Sequence, residues 1–263
     1  MQADDSAVFK AVKVKALNTT LNDKLFKLKL SKMKEILEEN IYVTNEYLVN
    51  NPTWHVEDSL WKTEQILKII QRNNLQPNSI CEIGCGAGEI LNQLFLQMND
   101  NVSFSGYEIS PQAFELCKQR EKDRLHYKLE NLFDDTSAHY GIVMAIDVVE
   151  HIEDYFEFLR NLKKKGEYKL IHIPLEMSVK SVLTKYYLKS REQYGHIHYF
   201  SKDSLLAILR EMGYEIVDYF YTSTVVHKQP RSLKSLILRL GYNINKDLSI
   251  RIFGGYSLMV LAK

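Results

Sequence analysis

The sequence predicts an α/β fold, doubly wound around a mostly parallel sheet, and three stretches predict it. Residues 80–90 read ICEIGCGAGEI: a short apolar run suited to a buried strand, three glycines, then Ile90, Leu91, Leu94 and Phe95 spaced as one helix face. Residues 102–110, VSFSGYEIS, read as a strand that ends in an acid, Glu108, just before Pro111 opens another helix. Residues 140–154, YGIVMAIDVVEHIED, carry the continuous apolar run Ile142 to Ile146, fit for the centre of a sheet buried on both faces.

A chain of 263 residues is enough for one sizeable domain with an extension. Its formal net charge of +1 gives no global argument for nucleic acid, so a basic partner site would have to be local. No apolar run approaches a membrane span, and MQADDSAVFK lacks the apolar core of a signal peptide, so a cytoplasmic location is expected. Cys81, Cys85 and Cys117 form neither a metal spacing nor an even disulfide set, and they are expected to be reduced.

Strand, glycine turn and helix let a backbone approach a bound nucleotide, with helical N–H groups aimed at it. The spacing here is G-x-G-x-G; the dinucleotide fingerprint G-x-G-x-x-G would need its last glycine where Glu89 stands. A glycine brought one residue forward, with Glu82 just ahead of the turn, suits a positively charged ligand better than a pyrophosphate. A tight turn with no ligand is the other reading.

On the pattern acid-x-Gly-x-Gly-x-Gly, filled by Glu82, Gly84, Gly86 and Gly88, and on Glu150-His151 following an apolar strand, the chain resembles the class I S-adenosylmethionine-dependent methyltransferases. The resemblance implies a seven-stranded sheet in the order 3-2-1-4-5-7-6, with strand 7 antiparallel. It implies that Glu82 and the loop from Gly84 through Cys85 and Gly86 to Gly88 wrap the methionine part of the cofactor, which leaves as S-adenosylhomocysteine. Glu108, at roughly the 20-residue distance of a ribose-binding acid, would accept from both ribose hydroxyls, and Ile109 would pack on the adenine. Where the family has an Asp near the adenine amine, this chain has Asn131, followed by Leu132; an amide carbonyl still accepts, and Glu130 is an alternative. Asp147 and His151 would lie beside the methyl group, and Val148 would be a further cofactor-binding residue. Gly141 departs from the usual Asp, a matter of a strand cap. The absence of an Asn-Pro-Pro-Tyr type motif disfavours transfer to the amino groups of adenine or glutamine.

Residues 1–59 read as an N-terminal helical extension or lid, and 60–263 as the Rossmann-like domain, with insertions at 176–200 and 228–251. Within the basic stretch 10–34, Leu21, Leu25, Leu28 and Met33 recur at helical spacing among lysines. Such a helix either touches an anionic surface or substrate, or packs on the core or on a second subunit, as in a homodimer. Trp54 and Trp61 flank His55, Glu57 and Asp58, and Asp58 or Ser59 is placed to cap a helix through Ile66 and Ile70. The family sets a helix here over the cofactor cleft, which brings Trp54, His55 and Trp61 near the site; two tryptophans filling a core joint is an equal reading.

EYKLIHIPLE reads as a fifth strand, and GHIHYFS resembles the His-x-x-x-Phe-Ser/Thr stretch of small-molecule members. His196 and His198 alternate and would share one side of an extended segment, but no third ligand at metal spacing accompanies them, so no metal is expected. SKDSLLAILREMG reads as a capped helix ending in glycine, and 214–222 and 256–261 read as two strands, which the resemblance makes the closing antiparallel hairpin. The basic segment 228–251 would dock an anionic substrate or a partner subunit. Since a sulfonium already activates its methyl group, the protein mainly has to hold a nucleophile in line. An acceptor carrying a proton also needs a base, for which His151 comes first, then His196 and His198. The expected function is methyl transfer to a small-molecule acceptor, an oxygen on a sugar or other secondary metabolite. RNA or protein methylation and a non-catalytic cofactor-binding subunit are the alternatives; no nucleic-acid module is recognisable.

Overall fold

A computed structural model describes residues 51–263 apart from Pro52, His55, Gln229 and Pro230, and the described residues lie in one compact unit. The expectations for the 10–34 segment, for a dimer formed through the extension and for His55 fall outside the described residues.

The chain runs α1 (Val56–Arg72), β1 (Ser79–Ile83), α2 (Glu89–Gln97), β2 (Ser103–Glu108), α3 (Pro111–Lys118), β3 (Leu125–Leu129) and β4 (Tyr140–Ile146). After a 3-10 turn (Val149–His151) come α4 (Tyr155–Leu162), β5 (Gly166–Pro174), α5 (Val179–Thr184), α6 (Tyr186–Tyr194), α7 (Lys202–Glu211) and β6 (Ile216–Thr222). Then follow α8 (Thr224–Lys228), α9 (Leu233–Ile244), α10 (Lys246–Phe253) and β7 (Ser257–Ala262). The sheet has the order β3-β2-β1-β4-β5-β7-β6. β1 to β5 pair in parallel, and β7 runs antiparallel between β5 and β6. This is the doubly wound sheet expected.

Side chains alternate across each strand, so one strand feeds two cores. Cys81, Val143, Ile171 and Val260 pack with Leu159, Leu205 and Leu209 of α4 and α7 on one face. Ile80, Met144, Leu170 and Met259 pack with Ile66, Ile69, Leu91 and Leu94 of α1 and α2 on the other. By the same alternation Glu82 shares a face with Ile80, the face that α1 covers.

α1 starts at Val56, before the expected cap at Asp58 or Ser59 and across the expected boundary at residue 60. Glu57 and Asp58 therefore sit inside the first turn, where carboxylates face the positive end of the helix dipole. Asp58 also pairs with Lys228 at 2.8 Å. α7 has the predicted cap, a reciprocal box between Ser201 and Ser204. In the 228–251 insertion Arg251 pairs with Asp203 at 2.6 Å and Lys202 with Asp247 at 2.7 Å, so Lys228 and Arg251 are engaged within the domain. Among the described residues, no helix is long and apolar enough to cross a membrane.

Candidate active site

The carboxyl ends of β1, β2 and β4 meet at one sheet edge, where the strand order reverses between β1 and β4; crevices at such points hold ligands in open α/β sheets. The glycine loop forms its floor. Gly84, Gly86 and Gly88 have φ of 67°, 55° and 75°, a region that costs other residues about 1–2 kcal/mol. The three positions serve different ends. A methyl at Gly88 would fall 2.6 Å from the Tyr127 ring and 2.7 Å from Cys117, so glycine here lets α2 pack down on the sheet. At Gly84 it would meet Val148 at 3.0 Å, whereas at Gly86 the nearest group is the Trp54 ring at 3.7 Å. Gly86 is thus the open rung of the loop, with Trp54 over it.

Glu108 is tied to this loop. Its Oε2 accepts from Gly86 N–H at 2.7 Å, and its Oε1 accepts from the N–H groups of Ile109 and Ser110 at 2.9 and 2.8 Å. Each carboxylate oxygen takes two donors, which leaves Oε2 one open acceptor site. Burial raises this carboxyl above its ordinary value against the pull of the three N–H groups. Ile109 lies beside it, half exposed.

Glu82 is buried, and among the described residues its Oε2 has no hydrogen-bond partner. Burial pushes its carboxyl up to about 8; Lys62 pulls it down, while Glu108 and Asp147 push it further up. Lys62 reaches in from α1, and its Nζ lies 2.7 Å from Asp147 Oδ2. The other oxygen of Asp147 is 2.6 Å from His172 Nδ1, and His172 Nε2 is 2.8 Å from Thr222 Oγ1, a chain of polar contacts from α1 to β6. Burial raises the Asp147 carboxyl, but His172 and Lys62 outweigh it and hold the group well below the usual range. Lys62 and His172 escaped sequence reasoning. Lys62 could have been found: Asp58, Lys62 and Ile66 are spaced four apart, so helical periodicity sets the lysine on the buried stripe.

Beyond Val148 lies a second cluster. Glu150, in the 3-10 turn, is wholly buried, and among the described residues neither of its carboxylate oxygens has a hydrogen-bond partner. Burial drives its carboxyl well above the ordinary range, with Asp147 adding to the effect. Its backbone carbonyl accepts from the N–H groups of both Ile197 and His198, at 2.9 and 3.1 Å, which docks the 195–198 segment on the turn. His151 Nδ1 sits 3.2 Å from the Gly195 carbonyl, and its ring lies 4.8 Å from that of His196. His196 Nδ1 lies 2.9 Å from both Glu176 Oε2 and Ser190 Oγ.

His151 and His196 therefore come together, and His198 does not join them. Its Nε2 meets the Glu153 carbonyl at 3.1 Å and its ring packs on Tyr155. His196 turns to Glu176 and Ser190 while His198 turns to Glu153 and Tyr155, so the two histidines expected on one side of the segment have separate partners. Trp61 is buried and stacked on His227 at 5.5 Å, and the Trp54 ring stands over Gly86. The side chains of Leu132 and Cys85 belong to the two cores, which leaves their backbones for a ligand. Asn131 is exposed and turns its Oδ1 to the N–H of Phe133 at 3.1 Å.

Residues 59–219 match the family described as methyltransferase domain. None of the curated proteins matches the sequence. Among solved structures, the plantazolicin methyltransferase in complex with SAH is 16% identical with a TM-score of 0.57, over 89% of this chain and 98% of the other. The magnesium protoporphyrin IX methyltransferase of Synechocystis PCC 6803, with bound SAH, is 15% identical with a TM-score of 0.52, over 77% and 81%. A SAM-dependent methyltransferase from Archaeoglobus fulgidus is 20% identical with a TM-score of 0.51, over 76% and 94%. At these identities the likeness is one of fold.

Proposed function

Because the chain belongs to the methyltransferase domain family, we propose that it transfers a methyl group from S-adenosylmethionine to an oxygen of a small-molecule acceptor, a sugar or other secondary metabolite. The observation that carries the reading is the buried Oε2 of Glu82, with no hydrogen-bond partner among the described residues, beneath a glycine loop anchored to Glu108. A cationic amino group and one hydroxyl of a ribose are what these two carboxylates are equipped to accept, and the cofactor carries both. When bound, it supplies a methyl group made electrophilic by a sulfonium.

The chain's own residues do the rest. Glu82 holds the ammonium of the methionine part, and the open acceptor site on Glu108 Oε2 takes a ribose hydroxyl. Gly86 lets the ligand approach the backbone, with Trp54 covering it and Ile109 offering an apolar wall. Lys62 and Asp147 fix the end of β4 against α1, which holds Val148 and the following turn in place. A hydroxyl acceptor gives up its proton as its oxygen bonds to the methyl carbon and the carbon–sulfur bond breaks, and His151 and His196, whose rings lie 4.8 Å apart, supply ring nitrogens able to manage that proton. Two solved structures of the same fold carry SAH, which supports the choice of cofactor. Engagement of Lys228 and Arg251 by Asp58 and Asp203 favours a small acceptor over a polyanionic macromolecule.

Calorimetric titration with S-adenosylmethionine, S-adenosylhomocysteine and NAD tests the cofactor; the first two should bind and NAD should not. Binding of NAD alone would overturn the assignment. Turnover on a panel of hydroxylated metabolites then tests the acceptor atom.

A further inference from the structure

We propose that Glu150, His151 and His196 bind one divalent first-row transition-metal ion, of the kind represented by Zn2+, Mn2+ or Co2+. One ligand atom from each of the three lies within 4.8 Å of the others. Ligands sharing an ion at about 2.0–2.2 Å sit roughly 3–4 Å apart, so small side-chain rotations close the set. The third ligand that the spacing of His196 and His198 lacks is Glu150, which the fold supplies from the turn after β4.

Three features of the surroundings point to a cation. Glu150 is wholly buried, neither of its oxygens has a hydrogen-bond partner among the described residues, and Oε1 lies 4.0 Å from His151 Nε2, a costly arrangement that a bound cation relieves. The partners behind the rings fix their tautomers. The Gly195 carbonyl accepts from Nδ1–H of His151, and Glu176 with Ser190 accepts from Nδ1–H of His196. That leaves Nε2 on each ring with the lone pair a metal requires, and a carboxylate behind a ligating histidine is the usual outer arrangement. Finally, the paired N–H bonds from Ile197 and His198 to the Glu150 carbonyl hold the two chain segments in register, so the site is built in advance.

Two imidazoles and one carboxylate suit borderline ions such as zinc, manganese, iron or cobalt better than calcium, and three protein ligands leave a position open. The role of that position rests on the function proposed above; the binding of the ion does not. An acceptor hydroxyl coordinated there becomes more acidic and releases its proton to solvent; the alkoxide oxygen then bonds to the methyl carbon as the carbon–sulfur bond breaks and S-adenosylhomocysteine leaves as the neutral thioether. The ion then does the work otherwise given to a histidine base.

The test uses the full chain, stripped with a chelator and titrated separately with MnCl2, ZnCl2 and CoCl2 by calorimetry, with the visible spectrum of Co2+ as a second readout. Uptake of about one ion per chain is expected, with Glu150→Gln and His196→Ala each weakening it at least ~10-fold, and Glu176→Gln by ~10–100-fold. His198→Ala should leave uptake unchanged. Retained S-adenosylmethionine binding in the variants shows that they are folded, and its loss in the unaltered chain would strike the functional reading and not this one. No stoichiometric uptake of any of the three ions, or uptake undiminished in both Glu150→Gln and His196→Ala, would overturn the proposal.

Discussion

The Lys62 ammonium on α1 and the Asp147 carboxylate just past β4 lie 2.7 Å apart, with 12% and 28% of their side chains exposed. This pair joins the helix before the sheet to the strand end at the crevice, and it leaves Asp147 shared between Lys62 and His172. Replacing Lys62 with Met should cost about 1–3 kcal/mol, less than a fully buried pair because water reaches Asp147. A double-mutant cycle with Asp147→Asn, read by urea denaturation, should give a coupling of about 1 kcal/mol or more. The pH dependence has a definite sign. Asp147 has a depressed carboxyl, so its contribution is present above the ordinary carboxylate range and is lost as pH falls through the folded value. The deficit of Lys62→Met should therefore be greatest near neutral pH and shrink in acid. An additive cycle would mean that the pair does not couple α1 to the strand.

Glu82 has the opposite linkage. Its carboxyl stands at about 8, above the ordinary value of 4.5, so the folded protein holds a proton that the unfolded chain has lost across that interval. Stability therefore falls as pH rises through this window, and Glu82→Gln should remove the fall, stabilising the protein by on the order of 1–3 kcal/mol at pH 9 relative to wild type. The same substitution should weaken S-adenosylmethionine. In the unaltered chain, cofactor affinity should rise between pH 7 and about 8, since an ammonium prefers the ionised carboxylate and its binding expels the proton. Calorimetry in buffers of different ionisation enthalpy reads that proton directly. Equal heats in all buffers near neutral pH would contradict it.

Glu108 bonds to three backbone N–H groups, one of them in the glycine loop. Glu108→Ala leaves those donors unpaired in a buried setting and should lower stability by about 1–3 kcal/mol. It also removes the charged acceptor proposed for the ribose, and S-adenosylmethionine affinity should drop by ~10–100-fold. Calorimetry separates the two effects when done at a temperature where the variant is still folded. Unchanged affinity in a folded variant would move the cofactor elsewhere.

Legibility in the sequence followed the range of the interaction. The glycine loop, the strand at 142–146 and the Ser201 cap are written in neighbours a few residues apart, and they form as read. The sheet order came from the resemblance, because strand pairing is not local. Partners supplied by distant elements were not legible. His172 reads as one residue of an apolar strand until β5 lies beside Asp147, and Glu176 reads as an acid at the end of that strand until Ser190 of α6 and His196 beyond it come onto its carboxylate. Periodicity identifies a buried stripe on α1 without saying that Trp61 turns to His227 while Trp54, ahead of the helix, covers Gly86.

Gly86 and Gly88 separate binding from folding. Both have positive φ, so alanine at either costs about 1–2 kcal/mol of backbone strain. At Gly88 the added methyl also strikes Tyr127 and Cys117 at 2.6 and 2.7 Å, in a packed core, which adds roughly 1–3 kcal/mol. Gly88→Ala should thus lower the melting temperature well beyond Gly86→Ala. At Gly86 the methyl meets nothing closer than Trp54 at 3.7 Å and would stand in the path proposed for the cofactor, so its main effect should be on cofactor affinity. Thermal unfolding and S-adenosylmethionine titration of the two variants should rank them in opposite orders. A Gly86→Ala protein that binds cofactor as tightly as wild type would show that the ligand does not come against this rung of the loop.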